Sequence, residues 1–129
     1  MLVISSPDRY SMDMMKLPDN HIQSTYWHEF RLALQRESSV DSYLEMYRIL
    51  VKTVADNQNR IDQFIRDNEL NVKESDSPHK RGGKETVYMR LRNEAVGHRL
   101  SVSPECTRRE IKLNIYNLKV LVKKAIEQL

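Results

Sequence analysis

Residues 107–129 read TRREIKLNIYNLKVLVKKAIEQL. Within this stretch Ile111, Ile115, Leu118, Val122, Ala125 and Leu129 recur at alternating steps of four and three. That spacing stacks apolar side chains on one face of an α-helix. Thr107 with Glu110 has the form of a capping box, and Pro104 just upstream suits a helix start.

The same period recurs towards the N-terminus. Val87, Tyr88, Leu91 and Ala95 mark a helix over about Glu85 to Val96, and Gly97 supplies its stop, because glycine tolerates the left-handed turn. Residues 71–85 are polar, with Ser75, Ser77, Pro78 and the pair Gly82-Gly83, and read as a loop. Tyr43, Leu44, Tyr47, Leu50, Val51 and Val54 form a helical stripe after Ser38, whose pairing with Asp41 resembles a capping box. The stripe resumes at Ile61, Phe64 and Ile65 beyond Asn57 and Asn59, either as one long helix or as two. Ile22, Tyr26, Trp27, Phe30, Ala33 and Leu34 give a further helix ending near Arg36. Residues 1–21 hold Pro7, Pro18 and methionines between Met12 and Met15 without a period, and read as an N-terminal arm. The expectation is an all-α fold: an antiparallel four- to five-helix bundle over residues 22–129 with an extended arm over residues 1–21.

Composition supports that class. A chain of 129 residues suits one domain, and 40% apolar with 30% charged residues is a globular balance rather than a disordered one. Three glycines and four prolines are too few for a turn-rich sandwich or barrel. A single cysteine, Cys106, excludes an internal disulfide framework and an all-cysteine zinc site. The apolar run Met1 to Ile4 is too short for a signal peptide or a membrane span, so a cytoplasmic location without membrane contact is expected. Charge is unevenly spread. Residues 1–79 carry 9 Lys/Arg against 13 Asp/Glu, net −4, and residues 80–129 carry 12 against 5, net +7. A basic half points to a polyanion-binding surface or to contact between copies.

Several familiar constellations fail on inspection. His28-Glu29 lacks the second histidine of a zinc-protease helix, since Leu32 stands there. His21 and His28 have no third ligand, so no metal and no cofactor is expected. Lys80-Arg81-Gly82-Gly83-Lys84 misses a phosphate loop, with Pro78 where glycine is needed and Glu85 where Ser or Thr is needed. It remains a basic loop able to touch a phosphate backbone.

The segment Leu91-Arg92-Asn93-Glu94-Ala95-Val96-Gly97-His98 stands apart. It pairs a permanent cation with the side chain that moves protons near neutral pH. Six residues of continuous helix would turn His98 roughly 120° from Arg92. The two converge only if the helix ends first, and Gly97 provides that end. Such a pair suits RNA cleavage by the RNA's own 2′-hydroxyl: a base takes the proton, and a cation stabilises the charge on the phosphorane.

Arg92-Asn93-x4-His98 resembles the signature of the HEPN superfamily, the higher eukaryote and prokaryote nucleotide-binding domains. The placement near the end of a late helix, with one more long helix after it, is similar too, as is the aromatic-rich stretch Ser42 to Leu50. The resemblance spans about residues 22–129. It implies a HEPN-like bundle acting as a metal-independent endoribonuclease, with its site composed at a homodimer interface, in a toxin–antitoxin, phage-defence or RNA-processing setting. An antitoxin or a neighbouring gene's product is the further partner it suggests. Carried over by position, Arg92, Asn93 and His98 are the catalytic set. A branch of the family has a tyrosine two residues after the histidine, where this chain has Leu100. Lys80, Arg81, Lys84, Arg90 and Arg99 are the expected guides for the RNA backbone. The rival reading is a non-catalytic helical dimer that binds a nucleotide, a nucleic acid or a partner protein.

Overall fold

Four short polar side chains start four of the helices. Ser38, Asn57, Thr86 and Ser103 each hold extended backbone, and each accepts a hydrogen bond from a backbone N–H of the turn that follows, at Asp41, Arg60, Met89 and Glu105. These bonds satisfy donors that a helix start leaves without a partner. In the computed structural model, which describes residues 17–77, 82–97 and 102–129 (backbone only for 17–20), the elements are α1 (Leu17–Leu34), α2 (Ser39–Thr53), α3 (Gln58–Asn68), β1 (Glu74–Asp76), β2 (Lys84–Thr86), α4 (Val87–Ala95) and α5 (Pro104–Glu127). The fold is an all-α helical bundle with one small hairpin. No helix among the described residues is long and apolar enough to cross a membrane.

α2 lies at the centre and packs against α1, α4 and α5. It buries Tyr43, Met46, Tyr47, Ile49 and Leu50. α5 meets it with Ile111, Leu118, Leu121, Val122, Ala125 and Ile126. The core follows the helical stripes, although Ile22, Leu34 and Leu129 are exposed and Tyr26, Leu44, Val51, Val54, Phe64, Ala95 and Ile115 are only half-buried. On α1, Phe30 and Ala33 are buried, and Trp27 meets Phe30 edge-on at 5.9 Å. The start of α1 lies against the end of α5, where the Gln23 side chain donates to the carbonyl oxygens of Ile126 and Leu129.

The structure departs from the sequence expectation at three places and decides a fourth. α1 begins at Leu17, ahead of Ile22, so the final residues of the expected arm are helical, while residues 1–16 lie outside the described residues. The stripe after Ser38, open in the sequence to one helix or two, is two: α2 closes at Val54, whose N–H returns to the Leu50 carbonyl oxygen, and Asn57 caps α3. The expected loop over 71–85 contains the antiparallel pair β1–β2, with Glu74 opposite Thr86 and Asp76 opposite Lys84. Its strands are polar and do not alternate, so tertiary ties hold them: the Val87 N–H donates to the Lys73 carbonyl, and Arg66 pairs with Glu74. Finally, α4 starts at Val87, since Glu85 and Thr86 belong to β2, and α5 starts at Pro104 under Ser103 rather than at a Thr107 cap.

Asn57 is the hinge between two helices, and its side chain accepts from the Arg60 N–H at 3.2 Å. Asn57→Ala is expected to lower unfolding stability by about 1 kcal/mol, and Asn57→Ser to recover nearly all of it. Urea unfolding followed by circular dichroism measures both.

Candidate functional site at the end of the fourth helix

α4 is short and closes within one turn of Arg92. The Val96 N–H returns to the Arg92 carbonyl oxygen, the Gly97 N–H returns to that of Glu94, and Gly97 holds φ +85°. An added Cβ on Gly97 would meet nothing within 4 Å, so backbone handedness alone favours glycine there. Leu91 is fully buried and anchors this last turn in the core.

Arg92 and the adjacent Asn93 are in contact. The Arg92 guanidinium donates to Asn93 Oδ1 at 3.0 Å. Asn93 is only 2% exposed, whereas Arg92 is half-buried, so a fixed amide orients a cation that still reaches solvent. His98 lies outside the described residues.

The far side of Arg92 faces a polar layer that joins α2, α3 and β2. Burial pushes the Tyr47 phenol well above the usual tyrosine range, Asp62 adds to that, and the Arg92 charge opposes it. The Tyr47 hydroxyl donates to Met89 Sδ at 3.5 Å. Asp62 is buried and accepts from the Thr86 hydroxyl at 2.8 Å. Glu85 is buried close enough to raise the pKa of both Tyr47 and Asp62. Tyr47, Asp62 and Thr86 therefore belong to a buried polar layer in which Tyr47 feels the Arg92 charge, and they were missed by sequence reasoning. They are separated along the chain and share no period, and the one available signal was a run of polar residues interrupting the apolar stripes.

The expected RNA-backbone cations divide. Arg90 is occupied: it pairs with Glu94 at 2.8 Å and with Glu110 at 2.7 Å, and the Glu94 side chain is only 3% exposed. The Thr107 hydroxyl donates to the other oxygen of Glu94 at 2.9 Å. Thr107 and Glu110, which look like a capping box in the sequence, are instead the α5 half of this cluster. Lys84 stands exposed on β2 in an ion pair with Asp76. Lys80, Arg81 and Arg99 lie outside the described residues. Beside the cluster, a cleft of about 490 Å³ opens between the starts of α2 and α5 and the end of α4, bordered by Asp41, Gly97 and Arg108. Arg108 borders this cleft from α5, and neither Arg92 nor Asn93 lines it.

Among the described residues no group of three or more His, Cys, Asp or Glu is arranged to hold a metal ion. Comparison with protein families, curated proteins and solved structures finds no match to this chain.

Two expectations follow from these contacts. Arg90→Ala strands the buried Glu94 carboxylate and is expected to cost about 2–3 kcal/mol in urea unfolding, while Lys84→Ala leaves the unfolding curve in place. Burial, the largest cause, holds the Asp62 carboxyl above its usual range against the opposing Thr86 hydrogen bond and Arg66 charge. The folded chain then keeps this proton to higher pH than the unfolded one, so ionising Asp62 costs stability as pH rises from about 4 upward. Asp62→Asn, which retains an acceptor for Thr86, is expected to remove that decline in melting temperature measured against pH.

Proposed function

We propose that the chain is a HEPN-type endoribonuclease that cleaves RNA by 2′-hydroxyl attack. The observation that carries this reading is the Arg92 guanidinium held by the buried Asn93 amide in the last turn of a helix that Gly97 ends. His98 follows one residue later in the chain. The helical bundle, with a long helix after the motif, is compatible with it.

In the proposed reaction His98 takes the proton of a 2′-hydroxyl or orients that group. The freed oxygen attacks the adjacent phosphorus, and the bond to the 5′-oxygen breaks as that oxygen takes a proton from the protonated His98 or from water. The products are a 2′,3′-cyclic phosphate and a 5′-hydroxyl end. Arg92 stabilises the negative charge that grows on the phosphorane oxygens, as a preorganised cation does where charge develops. Asn93 acts as a positioning residue: its hydrogen bond limits the rotamers of a long side chain, so less freedom is lost when the phosphate binds. Two copies of the motif would meet in a homodimer, giving a composite site for one phosphodiester.

Incubating RNA with the chain in EDTA tests this. Cleavage with cyclic-phosphate ends is expected. Arg92→Ala and His98→Ala are each expected to lose about 10²-fold or more in rate, and Asn93→Ala to lose less. Cleavage that disappears with EDTA, or that survives in both Arg92→Ala and His98→Ala, overturns the mechanism. Binding of RNA without any cleavage favours the non-catalytic rival.

A further inference from the structure

α5 turns one face inward to the core and leaves the other without a partner among the described residues. Along that outward face Leu113 is 74% exposed and Tyr116 is 69% exposed, with Val120 one turn further on. Steps of three and four align them in a single stripe. Arg109, Lys112, Lys119 and Lys123 share this face and flank the stripe, and none has an acidic partner among the described residues. Between Arg109 and Lys123 the face carries no acid, because Glu110 turns towards Arg90. The span is roughly 21 Å at the rise of an α-helix.

We propose that this face of α5 is a docking track for single-stranded RNA, on which a base stacks against the Tyr116 ring while the four cations follow the phosphate backbone. The track deepens the ribonuclease reading, on which its choice of RNA rests. Three features select this occupant. An exposed aromatic ring among cations is how sequence-tolerant single-strand binding is built, since every base has a face to stack. Three apolar side chains fall far short of the roughly 800 Å² per partner that a stable protein contact buries. A second copy of the chain is disfavoured by charge. Paired antiparallel about Tyr116, the helix sets Arg109 against Lys123, and paired parallel it sets each cation against itself.

The probe is a labelled 2′-O-methyl oligouridine, whose capped 2′ oxygen cannot attack, so fluorescence anisotropy reads binding apart from cleavage. Tyr116→Ala is expected to weaken binding about 5- to 150-fold, the worth of one stacked base. Tyr116→Trp keeps the affinity. Lys112→Ala and Lys119→Ala each flatten the salt dependence by about 0.7 in log–log slope. All three positions lie on the outward face, and circular dichroism melts confirm that the variants fold. Equal affinity of the parent and Tyr116→Ala overturns the track, even if the parent cleaves RNA and the nuclease reading stands. Tyr116-dependent binding by a parent that never cleaves RNA upholds the track and overturns the nuclease reading. If the oligouridine fails to bind while an Asp/Glu-rich amphipathic peptide binds in a Tyr116-dependent way, the track is overturned in favour of a protein partner.

Discussion

The fork of Arg90 between Glu94 and Glu110 is the interaction on which the arrangement depends. α4 is only 9 residues long, too short to be stable alone, and it ends at a glycine. One guanidinium binds its own helix at Glu94 and the neighbouring helix at Glu110, and Thr107 closes the other side of Glu94. Two charges taken from water are tolerated here because each meets hydrogen-bonding partners of the right geometry. The fork sets the rotation of α4 about its axis. With Arg90 turned towards α5, Arg92 is carried round to the side of Tyr47, where Asn93 holds it.

This division of labour between two arginines two residues apart was not legible in the sequence. Composition shows both as cations in a basic half, and only the fold reveals that one is consumed by structure and the other is held in reserve. The helices were legible because apolar residues at steps of three and four have one economical solution, the burial of a stripe. Arg92 and Asn93 were legible for a related reason: adjacent residues meet without help from the rest of the chain. The hairpin escaped notice because Glu74–Asp76 and Lys84–Thr86 have no apolar face, and their pairing rests on Arg66 and on the Lys73 carbonyl, contacts that cross the chain. Thr107 and Glu110 misled for the opposite reason: a local pattern was real, yet its partners lay on another helix.

The polar layer and the outward face of α5 act on the same cation-rich half in different ways. In the interior, the buried Asp62 and Tyr47 join α3, β2 and α2 in one polar layer, and the Arg92 charge acts on Tyr47 there. On the outside, Arg109, Lys112, Lys119 and Lys123 of α5 have no acidic partner among the described residues. A fixed interior charge pattern suits positioning, and an unopposed exterior one suits capture of a long anion.

The phenols of the core carry a consequence at the alkaline end of the scale. Burial, the largest cause in each case, raises Tyr43, Tyr47 and Tyr88 above the value of about 10 that they take once the chain opens. An unfolded chain therefore sheds these protons more readily than the native one, and each loss drains the folded population by mass action. The Tyr43 hydroxyl also donates to the Tyr88 carbonyl oxygen at 2.8 Å, a bond that its ionisation would remove. Strong base thus favours the open chain, and the absorbance of tyrosinate would appear in step with the collapse of helicity.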